Sequence, residues 1–291
     1  GFINKLVTEI PESNYEQVEI IGWLYQYYNQ IEKDKAMSKK RTYSKNEISY
    51  VTQLFTPDWI VKYLVENSLG RYYIEHNSSC YSSIGDKFKY LIKENIDFQN
   101  KNINIEKITF FDPCCGSGHI LVYAFEIFFE IYKFEGYNVK DIAALILKNN
   151  LYGLDIDERA SQLTILSLLL KAREYDKKIF SNEITMNLNI MSLQESGNKD
   201  NNFINELSEI NRENAQYLIN VFENAKEIGS LLKLKPNNYS SLQEEIMNNT
   251  SIFGITLQKK LIPLITQAKI LTQKYTIVVT NPPYLNASVM P

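Results

Sequence analysis

Short apolar runs alternate with longer stretches of helical periodicity along this chain. Residues 108–112, 151–157 and 274–280 are rich in aromatic and β-branched side chains, which is typical of buried strands. Residues 184–190 form a weaker run of the same kind. Strands that alternate with helices favour a parallel sheet. The pattern therefore predicts an α/β fold with four parallel strands.

Apolar positions at helical spacing lie between these runs and before them. Thr56 can cap a helix that has Pro57 at its first position. In the stretch 158–175, four leucines are predicted to face the core: Leu163, Leu166, Leu169 and Leu170. The predicted helices occupy residues 15–35, 57–71, 86–94, 119–135, 139–149 and 158–175.

The pattern also divides the chain. Residues 1–50 combine an amphipathic helical segment with a basic linker, and residues 51–291 hold the predicted strands. Residues 200–272 are mostly helical in pattern and indicate an insertion before the last strand. We therefore expect a helical N-terminal extension followed by one α/β domain.

Composition narrows the class of protein. With 291 residues, 44% of them hydrophobic, the chain can bury one large core. No apolar run approaches the roughly 20 residues that span a bilayer. Three cysteines make no disulfide framework, so a reducing cytoplasm is the expected compartment. The net charge of −3 implies that most of any DNA phosphate-binding surface lies elsewhere.

The last predicted strand ends in the turn Asn281-Pro282-Pro283-Tyr284. Two prolines end the strand, because they lack an N–H group and have a fixed φ angle. The Asn281 amide and the Pro282 carbonyl are two acceptors suited to an amino group, and Tyr284 offers a ring for stacking a flat base. The alternative is a proline-terminated strand with a loop tyrosine and no catalytic role.

A second turn, after the strand at 108–112, suits a nucleotide-like ligand. Gly116 and Gly118 allow positive φ and close backbone approach between a strand and a helix. Asp112 can meet a cationic group, and Asp155, at the next strand end, can accept ribose hydroxyls. The alternatives are plain turn residues for Asp112 and the glycines, and a helix cap for Asp155; we interpret only Asp157 as a cap.

No metal site is predicted. Cys114, Cys115 and His119 lie close in sequence, but a four-ligand zinc site needs a second pair of ligands that the sequence does not supply. Cys114 after Pro113 also resembles the nucleophile of cytosine-C5 methyltransferases. That cysteine belongs in the catalytic turn, where this chain has Asn281, so covalent catalysis is not expected.

Together these motifs resemble gamma-class DNA amino-methyltransferases. Phe55-Thr56-Pro57 resembles motif X, residues 112–118 motif I, residues 153–157 motif II, and residues 281–284 motif IV. The sequences of residues 18–28, 52–71 and 112–121 are similar to those of PglX-like adenine methyltransferases of BREX phage-defence systems. Related segments occur in fused restriction-modification enzymes. The resemblance implies a Rossmann-like S-adenosylmethionine-dependent methyltransferase fold, with 51–291 as its catalytic domain.

The resemblance also implies a site and a reaction. Thr56 and Asp112 would hold the methionine end of S-adenosyl-L-methionine, Asp155 its ribose, and Asn189 with Ile190 its adenine, although an acidic residue is more usual than Asn189. The other implied cofactor residues are Pro57, Pro113, Cys114, Gly116, Gly118 and Ile156. An adenine flipped out of double-stranded DNA would stack on Tyr284 and present its N6 group to Asn281 and Pro282. Other subunits of a defence system are implied partners.

Other readings remain open. Glutamine-N5 methyltransferases that modify proteins share the Asn-Pro-Pro-Tyr turn, and N4-cytosine methylation uses the same chemistry. A cofactor-binding scaffold or sensor of a defence complex is a non-enzymatic alternative. The chain lacks an initiator Met and ends seven residues after Tyr284, so we expect a fragment without later strands and the target-recognition domain. Such a fragment is expected to be inactive alone and to expose a sheet edge.

Overall fold

We describe the fold from a computed structural model of the chain. It describes residues 11, 22, 30, 31, 33–39, 51, 56–99, 101, 103–181, 188–197, 201–229, 232–235 and 237–282. Most of the predicted N-terminal helix and basic linker, most of the run at 184–190, and Pro283 and Tyr284 lie outside these residues. The predicted division at residue 50 stays a prediction.

Four short parallel strands form the sheet and confirm the predicted fold class. Their bounds are β1 Phe110–Asp112, β2 Leu151–Asp155, β3 Ile190–Ser192 and β4 Ile277–Val278. The strand order is β3-β2-β1-β4. β1 pairs in parallel with β2 on one side and with β4 on the other. The chain therefore reverses its direction of progress across the sheet between β1 and β4, a switch point of the doubly wound kind.

Residues 33–37 are helical, and nine further α-helices have both ends within the described residues. They are α1 Asp58–Val65, α2 Arg71–His76, α3 His119–Phe134, α4 Val139–Leu145, α5 Glu158–Tyr175, α6 Glu209–Val221, α7 Ala225–Ile228, α8 Ser240–Asn248 and α9 Gly254–Thr272. Wider π-helical turns occupy Glu66–Gly70, Tyr81–Gly85 and Ile146–Asn150, and short 3-10 turns occupy Ser78–Cys80, Ile105–Lys107, Ile179–Ser181 and Asn202–Glu206.

Three sequence-based expectations are corrected. Residues 86–94 form turns and no helix, because their backbone bonds to other parts of the chain: Tyr90 N donates to Glu66 and Ile92 N to Asn67. On α5, Leu166 is 42% exposed, and Leu168 is the fully buried leucine. Of the described residues of the predicted third strand, Leu188 and Asn189 lie outside β3, which is Ile190–Ser192.

The chain forms two compact units. Unit 1 comprises Gly1–Gly153, Arg159–Ile190 and Tyr275–Pro291, and unit 2 comprises Leu154–Glu158 and Met191–Lys274. In unit 1, the strands and α3 bury aromatic side chains such as Phe110, Phe125 and Phe128. Unit 2 has its own core between its helices, which includes Leu218, Leu242 and Leu261.

Among the residues described, no helix combines the length and the apolarity that crossing a membrane would require.

Candidate cofactor and catalytic site

Asp112 occupies the carboxyl end of β1 and is almost completely buried, with 1% of its surface exposed. Its Oδ1 accepts a hydrogen bond from the backbone N–H of Cys114 over 3.1 Å. This bond folds the chain back over the strand end, as Asp side chains do in turns. Pro113 and Cys114, both half-buried, form the body of the turn. The carboxylate predicted to meet a cationic ligand group is therefore built into the turn itself.

The glycine turn has the left-handed backbone that its sequence predicts. Gly116 has φ +54° and Gly118 has φ +89°. A Cβ atom added to Gly116 would meet no atom within 4 Å, so the backbone there borders open space. Gly118 precedes α3 and donates its N–H to the Cys115 carbonyl over 2.8 Å. The turn thus joins the sheet to the amino end of a 16-residue helix, an arrangement that suits ligand binding.

Two residues support this turn that the sequence reading missed. Thr164, fully buried on α5, donates its hydroxyl to the Gly116 carbonyl over 2.8 Å. Gly153 lies inside β2, where a Cβ atom would come within 2.9 Å of Ile190 and Leu121 side-chain atoms. A glycine in a strand interior often marks such close approach, and this signal could have identified Gly153.

Asp155 is the last residue of β2, as predicted. Its Oδ1 accepts a hydrogen bond from the Asp157 backbone N–H over 2.8 Å, which fixes the carboxylate at the strand end. Asp155 and Ile156 are half-buried. Their assignment to the ribose of a ligand stays a prediction.

Asn189 and Ile190 lie beside β2. The Asn189 carbonyl accepts from Gly153 N over 3.0 Å, and Asn189 Nδ2 donates to the Lys148 carbonyl, also over 3.0 Å. Ile190 is 5% exposed and packs under Gly153. The Asn189 amide nitrogen is therefore bonded to the backbone, and contact with an adenine ring stays a prediction for both residues.

Asn281 follows β4 after two residues and lies near Thr56. Val279 N donates to the Phe111 carbonyl over 3.0 Å, which holds this part of the chain beside β1. Asn281 Nδ2 donates to Thr56 Oγ1 over 3.0 Å, and Thr56 is buried while Pro57 is exposed. The structure thus brings together a predicted catalytic residue and a predicted cofactor residue. Pro282 is exposed.

The three cysteines form no disulfide. Burial raises the pKa of Cys80 to about 11, so this thiol is protonated at neutral pH. Within the described part of the chain, no group of three or more His, Cys, Asp or Glu side chains is arranged to hold a metal ion.

Residues 149–291 match the model of the Eco57I restriction-modification methylase family. The match covers just under half of the chain. The matched part of the chain begins just before β2 and includes Asn281, whereas the glycine turn precedes it.

Two relatives align with the chain over its whole length. It is 38% identical to the adenine-specific methyltransferase PglX of Lacticaseibacillus casei and 37% identical to the adenine-specific methyltransferase BrxX of Escherichia coli, over 100% of this chain in both cases. It is also 26% identical, over 52% of its length, to a putative type II restriction enzyme and methyltransferase of Methanocaldococcus jannaschii. The chain spans 26% and 27% of the lengths of PglX and BrxX, and 14% of the third protein.

The chemistry of the turn after β1 fits a cationic ligand. Asp112 is a buried carboxylate, and open space borders Gly116. A phosphate would be repelled by the carboxylate at this strand end. The donor set therefore suits a ligand with a positively charged amino group better than a nucleotide phosphate.

Proposed function

We propose that this chain carries the catalytic core of an S-adenosylmethionine-dependent methyltransferase that modifies the N6 amino group of adenine in double-stranded DNA. The proposed setting is a restriction-modification system, in keeping with the family description that residues 149–291 match, or a BREX-type phage-defence system, which the resemblance to PglX-like enzymes implies. The observation that best supports this proposal is the switch point of the sheet, between β1 and β4. β1 and β4 are parallel neighbours, so the Asp112 turn and Asn281 emerge side by side at the same edge.

The chemistry follows from the two acceptors of the catalytic turn. Asn281 Oδ1 and the Pro282 carbonyl would each accept one N6 hydrogen of the target adenine. Both bonds draw the amino group out of conjugation with the ring and make its lone pair available for attack. Positioning and electrostatics of this kind can supply most of a catalytic barrier reduction. Tyr284 would stack on the flipped base.

The cofactor end is assigned to the turn after β1. Bound S-adenosylmethionine would supply the methyl group from its positively charged sulfonium sulfur: the N6–CH₃ bond would form as the S–CH₃ bond breaks, which leaves a neutral thioether, and N6 would lose one of its two protons to solvent. Asp112 would face its amino group, and Asp155 would accept from its ribose hydroxyls. Gly116 and Gly118 would let the backbone approach the ligand closely. Pro57, Pro113, Cys114, Ile156, Asn189 and Ile190 would line the remainder of the site.

The test is methyl transfer by the complete gene product. Labelled S-adenosylmethionine is incubated with duplex DNA that contains or lacks adenine, and the digested DNA is analysed for N6-methyladenine by mass spectrometry. We expect adenine-dependent labelling that falls at least about 100-fold in Asn281→Ala, since removal of one stabilising group in a preorganised site costs that much.

The matched control is Asn237→Ala, which removes an exposed amide in unit 2 that bonds only to the side chain of Asn214 among the contacts described. This variant should keep full activity. Cofactor binding without labelling of any DNA would contradict the proposal. Labelling of a protein glutamine instead would assign the same turn to a protein substrate.

A further inference from the structure

A single hydrogen bond connects two parts of the chain that are 225 residues apart in sequence. Asn281 Nδ2 donates to Thr56 Oγ1 over 3.0 Å. We propose that Thr56 is a positioning residue for Asn281: its hydroxyl holds the amide so that Oδ1 faces the substrate amino group. This inference rests on the proposed function, because it assumes that Asn281 acts as an acceptor.

An asparagine acceptor needs such a partner. The last torsion of the Asn side chain has a broad and roughly two-fold preference, so the side chain alone does not select the face of its amide. If the Asn281 NH₂ group pointed toward the substrate, two donor groups would face each other, and the amide could not accept a hydrogen bond from the substrate amino group. A partner that binds Nδ2 leaves Oδ1 at the other end of the amide.

Thr56 is itself held firmly. It is 8% exposed, and Pro57, the residue after it, is the N-cap of α1: the Pro57 carbonyl accepts from Ile60 N over 2.9 Å and from Val61 N over 3.1 Å. Val61 and Val65, both fully buried, fix the same helix in the core of unit 1. A hydroxyl on this rigid support costs little further entropy when it binds Asn281.

A buried carboxylate at the end of α1 adds a second anchor. Glu66 is 1% exposed, and its two oxygens accept from the Tyr123 hydroxyl and from Tyr90 N, each over 2.6 Å. Tyr123 belongs to α3, the helix that follows the glycine turn. Thr56 is thus tied to the helix that also fixes the predicted cofactor turn.

The backbone of Asn281 is held by the sheet. Ile277 N donates to the Thr109 carbonyl and Val279 N to the Phe111 carbonyl, each over 3.0 Å. These bonds fix where the Asn281 side chain starts, whereas the Thr56 bond fixes where its amide points. Low solvent exposure strengthens a bond of this kind.

The experiment compares Thr56→Val with Thr56→Ser in the complete gene product. Valine keeps the shape of threonine without its hydroxyl, whereas serine keeps the hydroxyl. We expect Thr56→Val to lower kcat for methyl transfer about ten- to hundredfold, since a displaced catalytic group costs up to that much. Thr56→Ser should recover most of the rate. The dissociation constant of S-adenosylmethionine, measured by calorimetry, separates this role from the contact with the methionine end that the resemblance implies for Thr56. If the hydroxyl serves mainly to hold Asn281, the constant should stay within about twofold.

Thr276→Val is the matched control. Thr276 immediately precedes β4, and its Oγ1 accepts from Thr109 N over 3.2 Å, so the same substitution removes a threonine hydrogen bond at an exposed position away from Asn281. It should leave kcat unchanged. Denaturant unfolding of all variants corrects for any loss of folded protein.

Asn281→Ala provides the deciding background. If Thr56 acts through Asn281, Thr56→Val should cause no further loss of residual kcat once the amide is absent. Independent, multiplying losses would overturn the proposal. So would a loss in Thr56→Val that lies entirely in cofactor affinity, because Thr56 would then serve the cofactor directly.

The outcomes also separate this inference from the proposed function. Adenine methylation that depends on Asn281 but is unaffected by Thr56→Val would overturn the positioning role alone. The absence of any methyl transfer by the unsubstituted protein, with cofactor bound, would overturn both.

Discussion

Three glycines in unit 1 share a left-handed backbone but differ in their surroundings. Gly116 has φ +54°, Gly118 has φ +89° and Gly136, after α3, has φ +82°. A Cβ atom would meet nothing within 4 Å at Gly116 or Gly136. At Gly118 it would lie 3.0 Å from Thr164 Oγ1 and 3.1 Å from the Thr164 Cα atom. The three positions therefore separate backbone strain from steric conflict and from ligand contact.

We expect Ala at Gly136 to cost about 1–2 kcal/mol of stability, the strain of a left-handed L residue, without affecting cofactor binding. Gly116→Ala should cost a similar amount and also weaken cofactor binding, since its Cβ would enter the space assigned to the ligand. Gly118→Ala should be the most destabilising, because the Thr164 backbone cannot move cheaply. Urea unfolding and calorimetric titration measure the two effects. Equal cofactor affinity in Gly116→Ala and Gly136→Ala would contradict the assignment.

At the scale of elements, Asn150 connects the start of β2 to the segment before β1. This residue is fully buried. Its Nδ2 donates to the carbonyls of Ile105 and Ile108 over 2.9 and 2.7 Å, and its Oδ1 accepts from the Tyr132 hydroxyl over 2.9 Å. One amide thus forms hydrogen bonds with three polar groups, and it connects the segment before β1 and the start of β2 to α3.

Asn150→Ala should therefore destabilise unit 1 by about 2–4 kcal/mol, because it leaves buried polar groups without this partner and opens a small cavity. Tyr132→Phe removes only one of the three bonds and should cost about 1 kcal/mol. Denaturant midpoints at constant slope would measure both losses. An equal loss in the two variants would show that the carbonyl bonds contribute little.

The start of α6 depends on a carboxylate from α8. Glu245 accepts from Ser208 N over 2.7 Å and from the Ser208 hydroxyl over 2.8 Å, and Asn211 also donates to it. Partial burial pulls the pKa of Glu245 upward, but the bonds from Asn211 and Ser208 outweigh it and leave the pKa below its usual value. The ionised form is therefore the one that the folded state favours.

The lowered pKa of Glu245 determines how the stability of the protein changes with pH. A carboxylate with a lowered folded pKa contributes stability above its unfolded pKa and loses it as the pH falls through the folded pKa. Stability should thus decline below about pH 4.5, the unperturbed value for Glu245. Glu245→Gln should cost about 0.5–1 kcal/mol at pH 7 and should flatten that part of the acid limb. Unfolding curves from pH 3 to 7, with the exposed Glu244→Gln as control, test this.

The local sequence pattern predicts those features of the fold that depend on residues close together in the chain. The bounds of α5 match the predicted 158–175, and Asp112 with Gly116 and Gly118 takes the expected turn. Contacts between residues that are far apart in the chain do not follow from this local pattern. Thr164 supports the turn from another helix, and Thr56 meets Asn281 across the fold. Leu166 was assigned to the core because several faces of α5 are apolar, and only the packed helix selects Leu168.

At the scale of the whole molecule, the two compact units each bury a core of their own. Leu69 is fully buried in the core of unit 1, and Leu261 is fully buried in the core of unit 2. Unit 2 has further internal bonds: Gln267, also fully buried, accepts from Gln194 N over 2.8 Å and donates to the Gln194 carbonyl over 2.9 Å. Units with separate cores can open separately, with distinct free energies.

This organisation predicts how core truncations spread. Leu261→Ala should lower the free energy of opening for amides of unit 2 by about 2–4 kcal/mol, the cost of a buried Leu→Ala change, and should affect unit 1 less. Leu69→Ala, matched in chemistry and burial, should do the reverse. Native-state hydrogen exchange resolved by residue measures both sets of amides in the same sample. If either substitution lowers protection equally in both units, the chain opens as one cooperative body, and the helical unit then contributes directly to the stability of the sheet that carries Asp112 and Asn281.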